Sequence, residues 1–282
     1  MTLRLVADIR DQLGEGPVWA AAEQRLYWFD IKGRRLNWLR PDSEIRTLDL
    51  PLRASAAAPL IGGGLLVATE GGLAHIDPDA AAFRIVRPMT FDPGFRTNDG
   101  KIDPSGRFWW STMDDHHGER PGALFRTDPD GATQVMFEGL HIANTVSMSA
   151  DGSTFYLADS RLGTIFAHPT EDFAARIPFA TPDVGAPDGG AIDAEGCLWN
   201  AQWGASRIVR YAPDGRVDRI VDTPVKQPTS LAFGGPKLAT LYVTSAWDGL
   251  DRALNPLAGS LFAFEPGVAG LPLPAFNGTA FA

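Results

Sequence analysis

The sequence predicts an all-β fold, a six-bladed β-propeller of four-stranded antiparallel blades with its ring closed by the N-terminal strand in the last blade. Three observations carry this expectation. Helical periodicity is scarce, and short aromatic and β-branched runs bounded by Gly, Pro, Asp and Asn recur instead. A two-strand pattern returns six times, at a spacing of roughly 40 to 46 residues, the period of one blade. Leu3-Arg4-Leu5-Val6-Ala7 stands before the first full copy and alternates in polarity, as a strand added to a sheet edge should.

In chain order, the first copy pairs residues 26–30 with 36–39, and the second pairs 65–69 with 73–77. The third pairs 108–112 with 123–127 across a longer loop, and the fourth pairs 155–159 with 165–167. The fifth pairs 198–201 with 208–211, and the sixth 241–245 with 260–264. Asp128-Pro129-Asp130-Gly131 and Ala212-Pro213-Asp214-Gly215 follow third strands and suit tight turns. A ring of sheets must close, because a free edge invites aggregation. The N-terminal strand is expected to lock the last blade. No linker or composition shift interrupts the chain, so residues 1–282 are expected to form one domain.

Composition narrows the partners. The net charge of −9 and the lack of a basic run argue against nucleic acid. A lone cysteine, Cys197, excludes an intramolecular disulfide and reads as a small buried hydrophobe. The N-terminus lacks a signal-peptide core, and residues 54–68 are too short and too broken by Pro59 and glycines to span a bilayer. The expectation is a cytoplasmic protein with no membrane partner, a monomer or weak homodimer.

Placing the copies on a common register gives a candidate site. Each first strand should line the central channel, so equivalent residues sit at one height around the axis. Asp188 lies four residues before Ile192, Asn98 four before Ile102 and Asn144 four before Met148. Glu15 stands four before Trp19 and Thr229 four before Phe233, and the second copy gives Ala56. The ring thus reads Glu, Ala, Asn, Asn, Asp, Thr, with oxygen at five positions and no base. Such a set suits a hard divalent cation. Pro187-Asp188-Gly189 is also a turn sequence with a local reason to exist, so the shared register is what singles Asp188 out.

Arg96 falls near the same mouth, where it would hold a substrate oxygen or form a surface ion pair. His116 and His117 follow Asp114-Asp115 in a loop. Without a second His or Cys cluster they read as solvated rather than zinc-binding. Trp203 and Trp247 follow second strands and are candidates for a pocket wall.

Several segments together resemble the regucalcin (senescence marker protein)/gluconolactonase/luciferin-regenerating-enzyme-like family over nearly the whole chain. They are Leu13-Gly14-Glu15-Gly16-Pro17-Val18-Trp19, Arg96-Thr97-Asn98-Asp99-Gly100-Lys101 with Asp103-Pro104-Ser105-Gly106-Arg107, Ser111-Thr112-Met113, Ile142-Ala143-Asn144, Pro187-Asp188-Gly189 with residues 192–199, and Phe233-Gly234-Gly235. The resemblance implies a propeller that hydrolyses sugar lactones with one divalent metal in its channel. By motif, the metal ligands would be Glu15, Asn144 and Asp188, and Arg96 and Asn98 would contact substrate. The metal could be Ca, Zn, Mn, Mg or Fe(II).

Two departures stand out. Thr145 occupies a place where the family usually has Gly, and Asp114-Asp115-His116 stands where many members carry a Glu after Thr-Met. Asp114 or His116 is therefore expected to set which sugar fits. The expected reaction is hydrolysis of an aldonolactone to its aldonic acid, with Asp188 also taking a proton from the attacking water. The competing readings are a metal-dependent aryl-lactonase or phosphotriesterase of the same fold, and a non-catalytic calcium-binding propeller.

Overall fold

The computed structural model describes residues 2–40 and 44–281. Among these residues the strands form six four-stranded antiparallel sheets, five of them built wholly in chain order from the innermost strand outward. We number these blades one to six along the chain. Their innermost strands are Gly14–Ala20, Ala54–Pro59, Phe95–Ile102, Ala143–Met148, Ala186–Ile192 and Pro228–Gly234. Each innermost strand packs against the next, and the last packs against the first, which closes the ring.

Blade six takes its outer strand from the other end of the chain. Arg4–Ala7 pairs antiparallel with Leu261–Phe264, placing Arg4 opposite Ala263 and Leu5 opposite Phe262. The expected closure is therefore present, and no edge is left open at the seam.

Burial follows the radius. The second strands, such as Arg25–Asp30 and Leu65–Thr69, are buried along their whole length. Outer strands such as Thr133–Leu140 are half solvated, as an outer face should be. Between blades the core is aromatic and aliphatic: Trp28, Trp110 and Trp199 are fully buried. Trp110 stacks on Phe125 with ring centroids 4.4 Å apart. Truncating one of these rings to Ala would cost about 3–5 kcal/mol.

The repeated Asp-x-x-Gly turn has a physical reason. Asp103 accepts the backbone N–H of Ser105 at 2.8 Å and of Arg107 at 3.0 Å, and its other oxygen accepts the indole N–H of Trp109 at 2.8 Å. Asp193 does the same for Glu195, Cys197 and Trp199, and also pairs with Arg210 at 2.8 Å. One carboxylate thus ties each hairpin turn to the core. Cys197, in the second of these turns, is buried and unpaired with any other cysteine, as its apolar setting suggested.

Two further features shape the mouths of the channel. Each innermost strand carries a one-residue bulge near its start, for example between Glu15 and Val18, Thr97 and Gly100, and Pro187 and Gly190. A bulge re-aims side chains and is common beside functional sites. At the far mouth of the channel the chain crosses from blade five to blade two. Gly270 bridges to Asp193, and Phe276 bridges to Leu60 and donates its N–H to Pro59 at 2.7 Å.

Candidate active site

The bulges bring one residue from every blade to the same level of the channel. Glu15 lies opposite Phe29 and Asn144 opposite Ala158, each just before its bulge. Asn98, Asp188 and Thr229 take the equivalent place in their strands. Blade two corrects the sequence reading. Pro59 lies opposite Leu65, as Trp19 lies opposite Leu26, so four residues back is Ser55 and not Ala56. The glycine-rich turn after Leu60 hid where that strand ends. Every position of the ring therefore carries oxygen.

Two of these oxygens are structural. Ser55 Oγ donates to Thr97 Oγ1 at 2.8 Å, and Thr229 Oγ1 donates to the carbonyl of Gly14. Both tie one blade to the next.

The other four form the site with groups from blade three. Arg96 is buried, and one of its terminal nitrogens donates to Asn98 Oδ1 at 2.7 Å and to the Thr97 carbonyl at 2.9 Å. Asn98 Nδ2 donates to Asn144 Oδ1 and to the Ala143 carbonyl, both at 2.9 Å. Asn144 Nδ2 then donates to Ser160 Oγ at 2.8 Å, and Ser160 donates to the Pro187 carbonyl at 2.6 Å. One polar chain runs from Arg96 across blades three, four and five to the backbone beside Asp188.

The site is acidic and poorly solvated. Burial, and then the charge of Asp99, push the Glu15 carboxyl up to about 8. Burial, then Glu15 and then Asp99, raise Asp188 well above the carboxylate range. Asp99 is itself raised by burial, although it accepts backbone N–H groups of Gly100 and Val146, each at 2.8 Å. Lys101 is the half-buried cation beneath them. Burial lowers its ammonium, against the pull of Asp99 and Glu15, and it donates to the carbonyls of Gly190 and Leu231.

Asp99 and Lys101 escaped the sequence reading, which treated Asn98-Asp99-Gly100-Lys101 as turn and motif. A signal was present: Lys101 is a charge inside an otherwise apolar strand end.

The donor set fits a hard divalent cation: two buried carboxylates that burial and neighbouring acids make costly to ionise without a counter-charge, beside an amide oxygen already oriented by Asn98. Among the described residues no three Asp, Glu, His or Cys side chains form a metal cluster by themselves. Glu15, Asp188 and Asn144 would hold a cation only with the amide counted as a ligand.

Thr145 explains its own departure from Gly. Its backbone lies in the left-handed region, φ 58°, which β-branched residues avoid. Its hydroxyl donates to the Asp188 carbonyl at 2.5 Å and accepts Asn200 Nδ2 at 3.0 Å. Asn200 Nδ2 also reaches the Asp188 carbonyl, at 2.8 Å. The strain is offset by a double hold on the backbone of Asp188.

The loop after blade three's second strand departs from expectation. Asp114 is buried and both its oxygens face Arg120, one on the guanidinium at 2.9 Å and one on the backbone N–H at 3.2 Å. That hydrogen bond holds its carboxyl below the usual range. Asp115, next to it, pairs instead with Arg96 at 2.7 Å and with Arg53 at 2.7 Å. His116 and His117 are exposed on the same loop. Trp203 packs against the blade-one core, and Trp247 donates to the Arg10 carbonyl at 3.1 Å.

A closed ring of blades with buried acids and amides gathered at one channel mouth defines a propeller built around a small polar site. The chain belongs to the SMP-30/gluconolactonase/LRE-like family, whose model matches residues 13–247. It is 35% identical to the 6-deoxy-6-sulfogluconolactonase of Pseudomonas putida, over 98% of this chain and 99% of that one. It is 38% identical to the L-arabinolactonase of Azospirillum brasilense, over 98% and 95%. Its fold is similar to that of a calcium-binding regucalcin from Agrobacterium tumefaciens, with a TM-score of 0.92 and 30% identity over 98% and 97% of the two chains.

Proposed function

We propose that this chain is a sugar lactonase that opens an aldonolactone to its aldonic acid, using one divalent cation held by Glu15, Asn144 and Asp188. The observation that carries the reading is the buried acidic pair Glu15 and Asp188, beside the hydrogen-bonded chain that runs from Arg96 through Asn98 to Asn144. The similarity to lactonases acting on sulfogluconolactone and arabinolactone supports the substrate class. The calcium-binding regucalcin supports trying calcium among the cations.

A bound cation would supply charge stabilisation for the oxyanion that develops on the lactone carbonyl. The remaining work falls to side chains. Arg96 and Asn98 hold substrate oxygens, with Asp115 fixing the guanidinium from the loop side. Asp188 takes a proton from the attacking water and returns it to the ring oxygen as the acyl C–O bond breaks. Ordinary carboxylate basicity is adequate for both transfers near neutral pH.

The test is a pH-stat screen of five- and six-carbon aldonolactones, aryl esters and a phosphotriester, on chelator-stripped protein with Ca, Mn, Mg, Zn or Fe(II) added back. Cation-dependent turnover of aldonolactones is expected. Turnover confined to aryl or phosphate esters, or none at all, overturns the proposal.

A further inference from the structure

At the mouth opposite the acids, a cavity of about 480 Å³ opens between the ends of the innermost strands and the crossing segment 271–275. That volume is typical of small-ligand sites. Val18, Lys101, Ser147, Ala191 and Ala232 line it, each paired with an aromatic residue of its second strand: Tyr27, Trp109, Tyr156, Trp199 and Tyr242. They share one register, so their side chains turn the same way, toward the channel. Four are small or apolar, and the space they leave is what the lysine reaches across.

Three polar groups of this cavity are donors, and the one acid of its lining, Glu23, already accepts the Tyr27 hydroxyl at 2.5 Å and pairs with Arg25. Lys101 has three N–H bonds, and the carbonyls of Gly190 and Leu231 take two. Ser147 is buried, and its hydroxyl has no partner. The indole nitrogen of Trp19, on the same wall, is buried without an acceptor. Buried donors left unpaired cost free energy, and an acceptor brought among them recovers it. Apart from Glu23 and Gln24 the rest of the lining is apolar, with Met148, Ile192 and Phe233 from the strands and Leu271 from the crossing segment.

That segment is suited to admit a ligand. It is anchored at Gly270, whose N–H meets the Leu238 carbonyl at 2.8 Å, and at Phe276. Between these anchors no backbone hydrogen bond ties residues 271–275 to the ring among the described residues. Pro272 and Pro274 have no N–H to offer.

We propose that this mouth is a second binding site, separate from the acidic one, for a small monocarboxylate with an apolar tail. The carboxylate sits between Lys101 and Ser147, and the tail lies along the apolar wall beneath residues 271–275. The site stands whether or not the other mouth hydrolyses lactones.

The experiment titrates octanoate and 1-octanol into the intact protein by calorimetry and tryptophan fluorescence. Saturable one-site binding is expected, with octanoate about tenfold or more tighter than octanol. Ala232→Leu, which fills the cavity, should weaken both, while Lys101→Met should remove the preference for octanoate and leave octanol bound. Gluconate, a carboxylate without an apolar tail, should not displace octanoate. Absence of saturable binding, equal affinity for the acid and the alcohol, unchanged binding in Ala232→Leu, or displacement by gluconate each overturns the proposal. Thermal melts of both variants confirm that they fold, and Ala232→Leu decides the matter if Lys101→Met does not.

Discussion

The side-chain nitrogen of Asn98 donates to the side-chain oxygen of Asn144 across 2.9 Å, from one blade to the next. The contact fixes which way the Asn144 amide faces, and Arg96 in turn fixes Asn98. Asn98→Ala should therefore act on two properties together. Losses of roughly 10- to 100-fold are expected both in kcat/KM on the preferred lactone and in cation affinity. Steady-state kinetics beside calorimetric titration of the cation check this. A variant with an altered KM and an unchanged cation affinity would show that the contact serves substrate alone.

Thr145 trades backbone comfort for a grip on Asp188. Thr145→Gly relieves a left-handed conformation worth about 1–2 kcal/mol but removes the hydroxyl that meets the Asp188 carbonyl and Asn200. Stability should change by less than about 1 kcal/mol in either direction, while kcat falls several-fold. Denaturant melts and kinetics on the same preparation separate the two effects. Full activity in Thr145→Gly would reduce the hydroxyl to a packing role.

The raised acids make stability depend on pH. Glu15 moves from an ordinary 4.5 to about 8 in the fold, with Asp188 raised beside it. Between these values the folded state holds protons that the unfolded chain has released. Stability of the cation-free protein is thus greatest at low pH within this window and declines as pH rises from about 4.5 to 8. The loss should amount to on the order of a few kcal/mol. A divalent cation takes the place of those protons, so its stabilising effect should grow with pH. Melts from pH 5 to 9, with chelator and with cation, measure both trends. Asp188→Asn should flatten the chelated profile and lower turnover by about 100-fold or more.

Asp193 is fully buried and serves Trp199, Arg210 and two backbone N–H groups at once. Asp193→Ala leaves the Arg210 guanidinium without its buried partner, a loss of about 3–5 kcal/mol. The midpoint of urea unfolding should fall accordingly. Because the turn lies at the mouth away from the acids, folded protein should keep its kcat.

Much of this architecture was legible because its hairpins differ in length by only one or two residues. Ile102 leads to Phe108 and Ile192 to Leu198 through the same Asp-anchored turn, so counting back from either reaches the bulge. The register of Glu15, Asn98, Asn144 and Asp188 could be read in that way. Blade two resisted, since three successive glycines erase the turn signal and shift the count from Ser55 to Ala56. Asp99 was hidden for another reason: its second oxygen is held by Val146, a backbone group of the next blade. Nothing local announces such a partner. The pairing of Asp114 with Arg120 depends on how an irregular loop closes, and the segment 270–276 belongs to no repeat.

The strand that closes the ring is among the earliest residues of the chain, while its partners around Leu261–Phe264 are among the last. During synthesis Arg4–Ala7 must remain unpaired until residues 261–264 have emerged. Five blades can form on local hairpins, but the sixth waits for a contact between the two ends of the chain. Such a long-range contact is slow to form, because it closes the largest loop available. The propeller is thus assembled in sequence and fastened in one final step. Until that step the outer edge of blade six is the part of the nascent protein most exposed to pairing with a stranger.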